Sequence, residues 1–187
     1  MRASRLARAS ATAIVLIAAA LIAVTLPGNV GPVDAAPRSD AFDLSRYRPV
    51  NPDTYRSLSY ANRGRHFFVS GTVRCQIGPQ PNAAACRVKP RTASPGVIGV
   101  ALPSESQGPY WVRRGSSYQL GPVSPFRTPT LKAGTRVTVA NITCAAPKTG
   151  VVICRNWNRG FKVSRSAHTF RYPHGDRAHD RNPRVRR

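Results

Sequence analysis

The four cysteines constrain this chain more than any other feature, because they fall into two stretches that echo each other. Thr72-Val73-Arg74-Cys75 is followed, after an interval of 10 residues, by Cys86-Arg87; Asn141-Ile142-Thr143-Cys144 is followed, after 9, by Cys154-Arg155. Each interval carries Gly and Pro turn signals, the pattern of a hairpin stapled across its strands and used twice. Four cysteines permit three connectivities. We expect Cys75 with Cys86 and Cys144 with Cys154, each closure contributing ~3 kcal/mol on the chain-entropy model. A zinc site is the competing reading; the chain has no CxxC and its cysteine spacings are wide, so neither a metal nor a cofactor is expected.

The N-terminal residues place those cysteines in an oxidising compartment. Arg2, Arg5 and Arg8 precede Ala11 to Leu26, a 16-residue apolar run broken only by Thr, the layout of a charged region followed by an export signal core. Pro27 and Gly28 end the run, and Val33-Asp34-Ala35 offers small residues for cleavage after Ala35. The alternative is an uncleaved anchor, which usually takes about 20 apolar residues. Both readings send the rest of the chain across the membrane. Residues 1–35 are therefore expected to be a signal peptide, and the product to be secreted or associated with the cell envelope, where disulfides persist.

Residues 36–65, with Pro37, Pro49 and Pro52, read as a largely irregular linker with a short ordered stretch near Tyr47 to Tyr60. Residues 66–172 read as a β domain. From His66 to Cys75, Phe67, Val69, Gly71, Val73 and Cys75 lie on one parity and Ser70, Thr72 and Arg74 on the other, which predicts one half-buried strand. Val97 to Leu102 fits an interior strand. Between Thr135 and Cys144 the parity changes, from Val137 and Val139 to Ile142 and Cys144, which predicts a bulge near Ala140 and Asn141. Val151 to Cys154, a turn at Asn158-Arg159-Gly160 and Phe161-Lys162-Val163 continue a meander, and His168 to Tyr172 supplies a last strand. No helical stripe follows Arg38. The expected fold is all-β, a small sandwich or barrel of short antiparallel strands with two disulfide-stapled hairpins. Residues 173–187, rich in Arg, read as a disordered basic tail.

At these motifs the chain resembles a family of small uncharacterised exported domains of actinobacteria. The resemblance rests on Ser70-Gly71-Thr72-Val73-Arg74-Cys75, Leu131-Lys132-Ala133-Gly134, Ile142-Thr143-Cys144, Gly150-Val151-Val152-Ile153-Cys154-Arg155-Asn156 and Gly160-Phe161-Lys162-Val163-Ser164-Arg165. It spans about residues 66 to 170 and implies a disulfide-bonded secreted domain with no assigned catalytic residue. Thr72, where the family commonly has Asn, and the basic tail are departures from it.

Charge narrows the function. The chain carries 29 Lys and Arg against 7 Asp and Glu, a formal net charge of +22. G+C-rich coding favours Arg, Ala, Pro and Gly, but it does not remove Asp and Glu. Such a surface attracts polyanions. Only Glu105 falls within the expected domain, which argues against a paired-carboxylate hydrolase. There is no GxSxG or HExxH, and His66 and His168 are the domain's histidines. His174, Asp176, His179 and Asp180 have metal-binding types but sit in the expected tail.

Binding has better candidates. Trp111, Arg113 and Arg114 form one aromatic and basic cluster, and Arg155, Trp157 and Arg159 another; tryptophan stacks on a sugar or base while Arg pairs with phosphate or carboxylate. The structural alternative is that both tryptophans roof the core. The expected function is a secreted, non-enzymatic domain that binds anionic envelope components: a polymer, lipid head groups or another secreted protein. Membrane contact would come through an uncleaved leader or through charge. Extracellular nucleic-acid binding and a hydrolase with an unrecognised site are the alternatives.

Overall fold

The computed structural model describes residues 40–78, 83–103, 107–116 and 118–173. The leader, Glu105 and all of the tail beyond Pro173 lie outside them.

Two-residue turns decide the strand pattern. The segment expected to be one strand is a hairpin, β2 (His66–Ser70) and β3 (Val73–Ile77), turning at Gly71-Thr72. The parity change expected to be a bulge is a second hairpin, β7 (Thr135–Val139) and β8 (Ile142–Lys148), turning at Ala140-Asn141. In such a hairpin the residues flanking the turn pair and share a face, here Ser70 with Val73 and Val139 with Ile142. The inward set therefore switches parity across each turn. Consequently Phe68, not Phe67, enters the main core opposite Cys75. The first turn residue is left-handed in both, with φ of 56° at Gly71 and 50° at Ala140.

The remaining strands are β1 (Arg48–Pro49), β4 (Ala84–Arg87), β5 (Val97–Leu102), β6 (Tyr110–Arg113), β9 (Val151–Asn156), β10 (Arg159–Ser164) and β11 (His168–Arg171). They form a five-stranded sheet, β2-β3-β4-β5-β6, and a six-stranded sheet, β1-β7-β8-β9-β10-β11. The sheets share one core and are not closed into a barrel, so the fold is a sandwich. Both expected disulfides are present, and each joins residues directly opposite on neighbouring antiparallel strands: Cys75 with Cys86 across β3 and β4, and Cys144 with Cys154 across β8 and β9. All four are buried between the sheets. With no free cysteine among the described residues, the chain suits an oxidising compartment.

The echo in the sequence extends to the whole molecule. Strands β2 to β6 and β7 to β11 are two five-stranded meanders of the same order, each with its disulfide between the second and third strands. The outer faces are covered reciprocally. A strap ahead of the first meander, with Phe42, Leu44 and Tyr47, packs on Ala145 and Ile153 of the second. A strap ahead of the second meander, with Tyr118 and Leu120, packs on Ala85, Ala101 and Val112 of the first. Each strap then pairs in parallel with the first strand of the meander it covers, Arg48 with Thr135 and Thr130 with Val69.

This corrects the expected linker. From Asp40 onward it belongs to the domain, because Phe42, Leu44 and Tyr47 cover one sheet and Tyr55 enters the core against Phe68, with ring centroids 6.3 Å apart. Prolines and a lack of periodicity hid it: a strap buries isolated side chains and needs no regular repeat.

Candidate anion-binding groove

Arg74 on β3 and Arg87 on β4 face each other directly, and both are exposed on the outer side of the first sheet. Like charges directly opposite on neighbouring strands repel. The carboxylates among the described residues are Asp40, Asp43 and Asp53; all lie between the second sheet's strap and the 3-10 turn Pro52–Tyr55, and none reaches this pair. The one salt bridge among the described residues is Arg171 to Asp40, 2.6 Å, at the edge of the other sheet.

Arg74 and Arg87 line a cleft of about 300 Å³ whose opposite wall is Leu120, Pro122 and Phe126 of the strap. Arg87 also lines an adjoining cleft of about 340 Å³ with Thr72, Lys89, Gly96 and Arg114. Arg74 and Arg87 thus face the apolar wall, and Arg87 is shared with the neighbouring cleft that Lys89 and Arg114 line. The wall is fixed: Gln76 Nε2 donates to the Gln119 carbonyl (2.8 Å), its Oε1 accepts from the Gly121 amide (2.8 Å), and Phe126 stacks obliquely on Phe67 at 5.6 Å. Cations so placed are chemically able to hold anionic groups, since Arg offers two parallel donors to a phosphate or carboxylate and Thr72 a hydroxyl.

The repeat explains why Arg87 is available. Its equivalent in the second half is Arg155, the residue after the second cysteine, and that guanidinium donates from Nη1 to the Phe42 carbonyl at 3.1 Å. Arg136 similarly holds the Leu44 carbonyl at 3.0 Å. In the second half Arg clamps the strap, whereas in the first half Gln76 does so and leaves Arg74 and Arg87 to solvent.

The six residues expected to bind are therefore divided. Arg114 lies in the groove. Arg113 is half-buried and donates to the Pro95 carbonyl at 3.0 Å. Arg155 is the strap clamp. Arg159 is not in a turn but begins β10, is 7% exposed, and donates to the Gln107 carbonyl at 3.4 Å; burial weighs against its charge. Trp111 is 5% exposed and packs on His168 and Phe170, at 4.6 and 4.7 Å, so for this residue the core-roof alternative holds. Trp157 alone stands out, 74% exposed at a left-handed φ of 54° in the β9–β10 turn. The two expected clusters do not come together. Arg159 reaches Gln107, ahead of β6, while Arg113 and Arg114 leave its far end.

Sequence reasoning missed Arg74, Arg87 and Lys89. Their signal was present in the alternation itself, since Arg74 and Arg87 each adjoin a cysteine that points inward and so must point out.

His168 Nδ1 lies 2.6 Å from Thr92 Oγ1 beside a third cleft with Lys162, Ser164 and Ser166, and burial holds its imidazole below the ordinary value. No described carboxylate lines that cleft to orient the ring. Comparison with family models, with curated proteins and with solved structures finds no match.

Proposed function

We propose that this is an extracytoplasmic, non-enzymatic module that captures anionic polymers of the cell envelope along the groove of Arg74, Arg87, Lys89 and Arg114. One observation carries the reading: two arginines side by side on adjacent strands, opening into adjoining clefts, with no carboxylate among the described residues paired to them. Self-repulsion of that kind costs the folded state a little, and an anionic ligand relieves it. The expected exported location and the excess of cations over the whole chain are consistent with such a ligand.

Titration with long-chain polyphosphate and with a polyglycerol-phosphate polymer tests the reading. Arg74→Ala with Arg87→Ala is expected to weaken binding about tenfold or more, as loss of two charge-assisted contacts implies. Arg113→Ala with Arg159→Ala is expected to change it far less. Binding that persists unchanged at about 0.5 M salt, where exposed charges are screened, overturns the reading. Duplex DNA as competitor separates a phosphate-polymer site from nucleic-acid binding.

A further inference from the structure

Three large apolar side chains are exposed on two segments that meet: Leu58 at 90% and Tyr60 at 98%, almost wholly in solvent, and Val123 at 60%. They come from segments 61 to 65 residues apart in sequence but share one polar bracket. Ser124 Oγ donates to Ser59 Oγ at 2.6 Å, and Ser59 lies between Leu58 and Tyr60 while Val123 precedes Ser124. Beneath them the side chain of Asn62, fully buried, donates from Nδ2 to Ser57 Oγ (2.8 Å) and Ser124 Oγ (3.1 Å). Its Oδ1 accepts from the amides of Val123 (2.8 Å) and Ser124 (3.2 Å). A buried amide satisfied on both ends fixes both segments. The apolar tip is thus held in shape and left exposed among the described residues.

The surroundings are cationic. Arg56 and Arg63 are exposed on the first segment, Arg127 on the second, and Asp53 is the one carboxylate nearby in the first segment. The second segment leads straight into the groove, since Gly121, Pro122 and Phe126 wall the Arg74–Arg87 cleft. Exposed Leu, Tyr and Val side chains on two segments that also carry exposed arginines match the layered chemistry of a membrane interface, where an apolar zone lies beneath phosphates and Tyr favours the boundary.

We propose that this tip docks the protein on a lipid surface bearing anionic head groups. Leu58, Tyr60 and Val123 enter the boundary between head groups and acyl chains, and Arg56, Arg63 and Arg127 meet the phosphates. The docking shares only the sign of its charge with the groove reading and uses other residues, so either stands without the other.

The test places a reporter in the tip of the full chain. Tyr60→Trp with Trp157→Tyr leaves the buried Trp111 as a constant background. The protein is mixed with vesicles of phosphatidylcholine alone or with phosphatidylglycerol, each carrying a nitroxide-labelled lipid. Residue 60 is expected to shift to the blue and be quenched only with the anionic vesicles. Leu58→Ser with Val123→Ser should raise the lipid needed about tenfold, in line with the apolar area lost. Thermal unfolding of each variant reports that its fold is intact, independently of the groove reading. An unquenched residue 60 overturns the proposal even where the leader holds the chain on the vesicle. Quenching that ignores Leu58→Ser with Val123→Ser also overturns it, and both results leave the groove untouched.

Discussion

Trp111 and Phe170 occupy the same position in the two halves of the molecule, and their rings touch, with centroids 4.7 Å apart. Trp111 pairs with Val100 on β5, and Phe170 with the equivalent Phe161 on β10. Equivalent residues meet each other where a pseudo-twofold axis passes between them. We predict that Trp111→Ala costs about 3–5 kcal/mol in chemical denaturation, as for other buried aromatics. Trp157→Gly should leave stability unchanged or raise it, since glycine adopts the left-handed φ of 54° without the cost a tryptophan incurs.

Gly99 and Gly160 are also equivalent, facing Arg87 and Arg155 in register. A Cβ at Gly160 would lie 2.6 Å from the Cys154 carbonyl and 3.0 Å from Phe42 Cδ1; at Gly99 it would strike the Cys86 carbonyl and sit 2.7 Å from Leu120 Cδ1. Each glycine is where a strap crosses its sheet. Gly99→Ala and Gly160→Ala are each expected to lower stability by about 1–3 kcal/mol, the range for overpacked sites, measured by thermal unfolding.

Equivalent arginines should part company on mutation. Arg155→Ala frees the Phe42 carbonyl and loosens a strap, so protection of the Phe42 to Tyr47 amides from hydrogen exchange should fall while polyphosphate binding holds. Arg87→Ala should weaken polyphosphate binding and leave exchange unchanged. Were both to lose binding equally, the division between clamp and groove would be wrong.

Acid should destabilise the fold before its carboxylates titrate. Burial holds His66 and His168 below the ordinary 6.5, with Arg56 adding to the effect at His66. Between that lowered value and 6.5 the unfolded chain binds more protons, so stability is complete above about 6.5 and declines as pH falls through the interval, then levels. Asp40 and Asp43 add a separate loss below 3.8, where the bonds from the Phe42 amide and from Ser45, respectively, depress their carboxyls. Melting temperature followed from about pH 8 to 4 should show the first decline, and His168→Phe should reduce it.

Reading from sequence worked where local chemistry was sufficient. The cysteine echo identified both disulfides, and the apolar runs identified Val97 to Leu102 and the strands around Cys144 and Cys154. It failed where partners come from afar. Nothing near Phe42 indicates that it will cover Ile153, and nothing near Tyr110 to Arg113 indicates that this cluster is a strand whose Trp turns inward. Arg74 and Arg87 are 13 residues apart in number and become one site only through the pairing of β3 with β4. The parity switch was visible at Ala140, but a bulge and a two-residue turn produce the same switch, and only strand direction separates them; at Gly71 the run from Phe67 to Cys75 read as one strand, and the turn went unseen.

Because each half lends its leading segment to the other, the two are mutually clasped as well as packed. Each sulfur bridge closes inside one half, so between Arg114 and the second strap only the main chain links them covalently. A protease cut after the exposed Arg114 would therefore leave two chains that stay together as one particle. Reducing agent would not release them; prising apart the shared interior would.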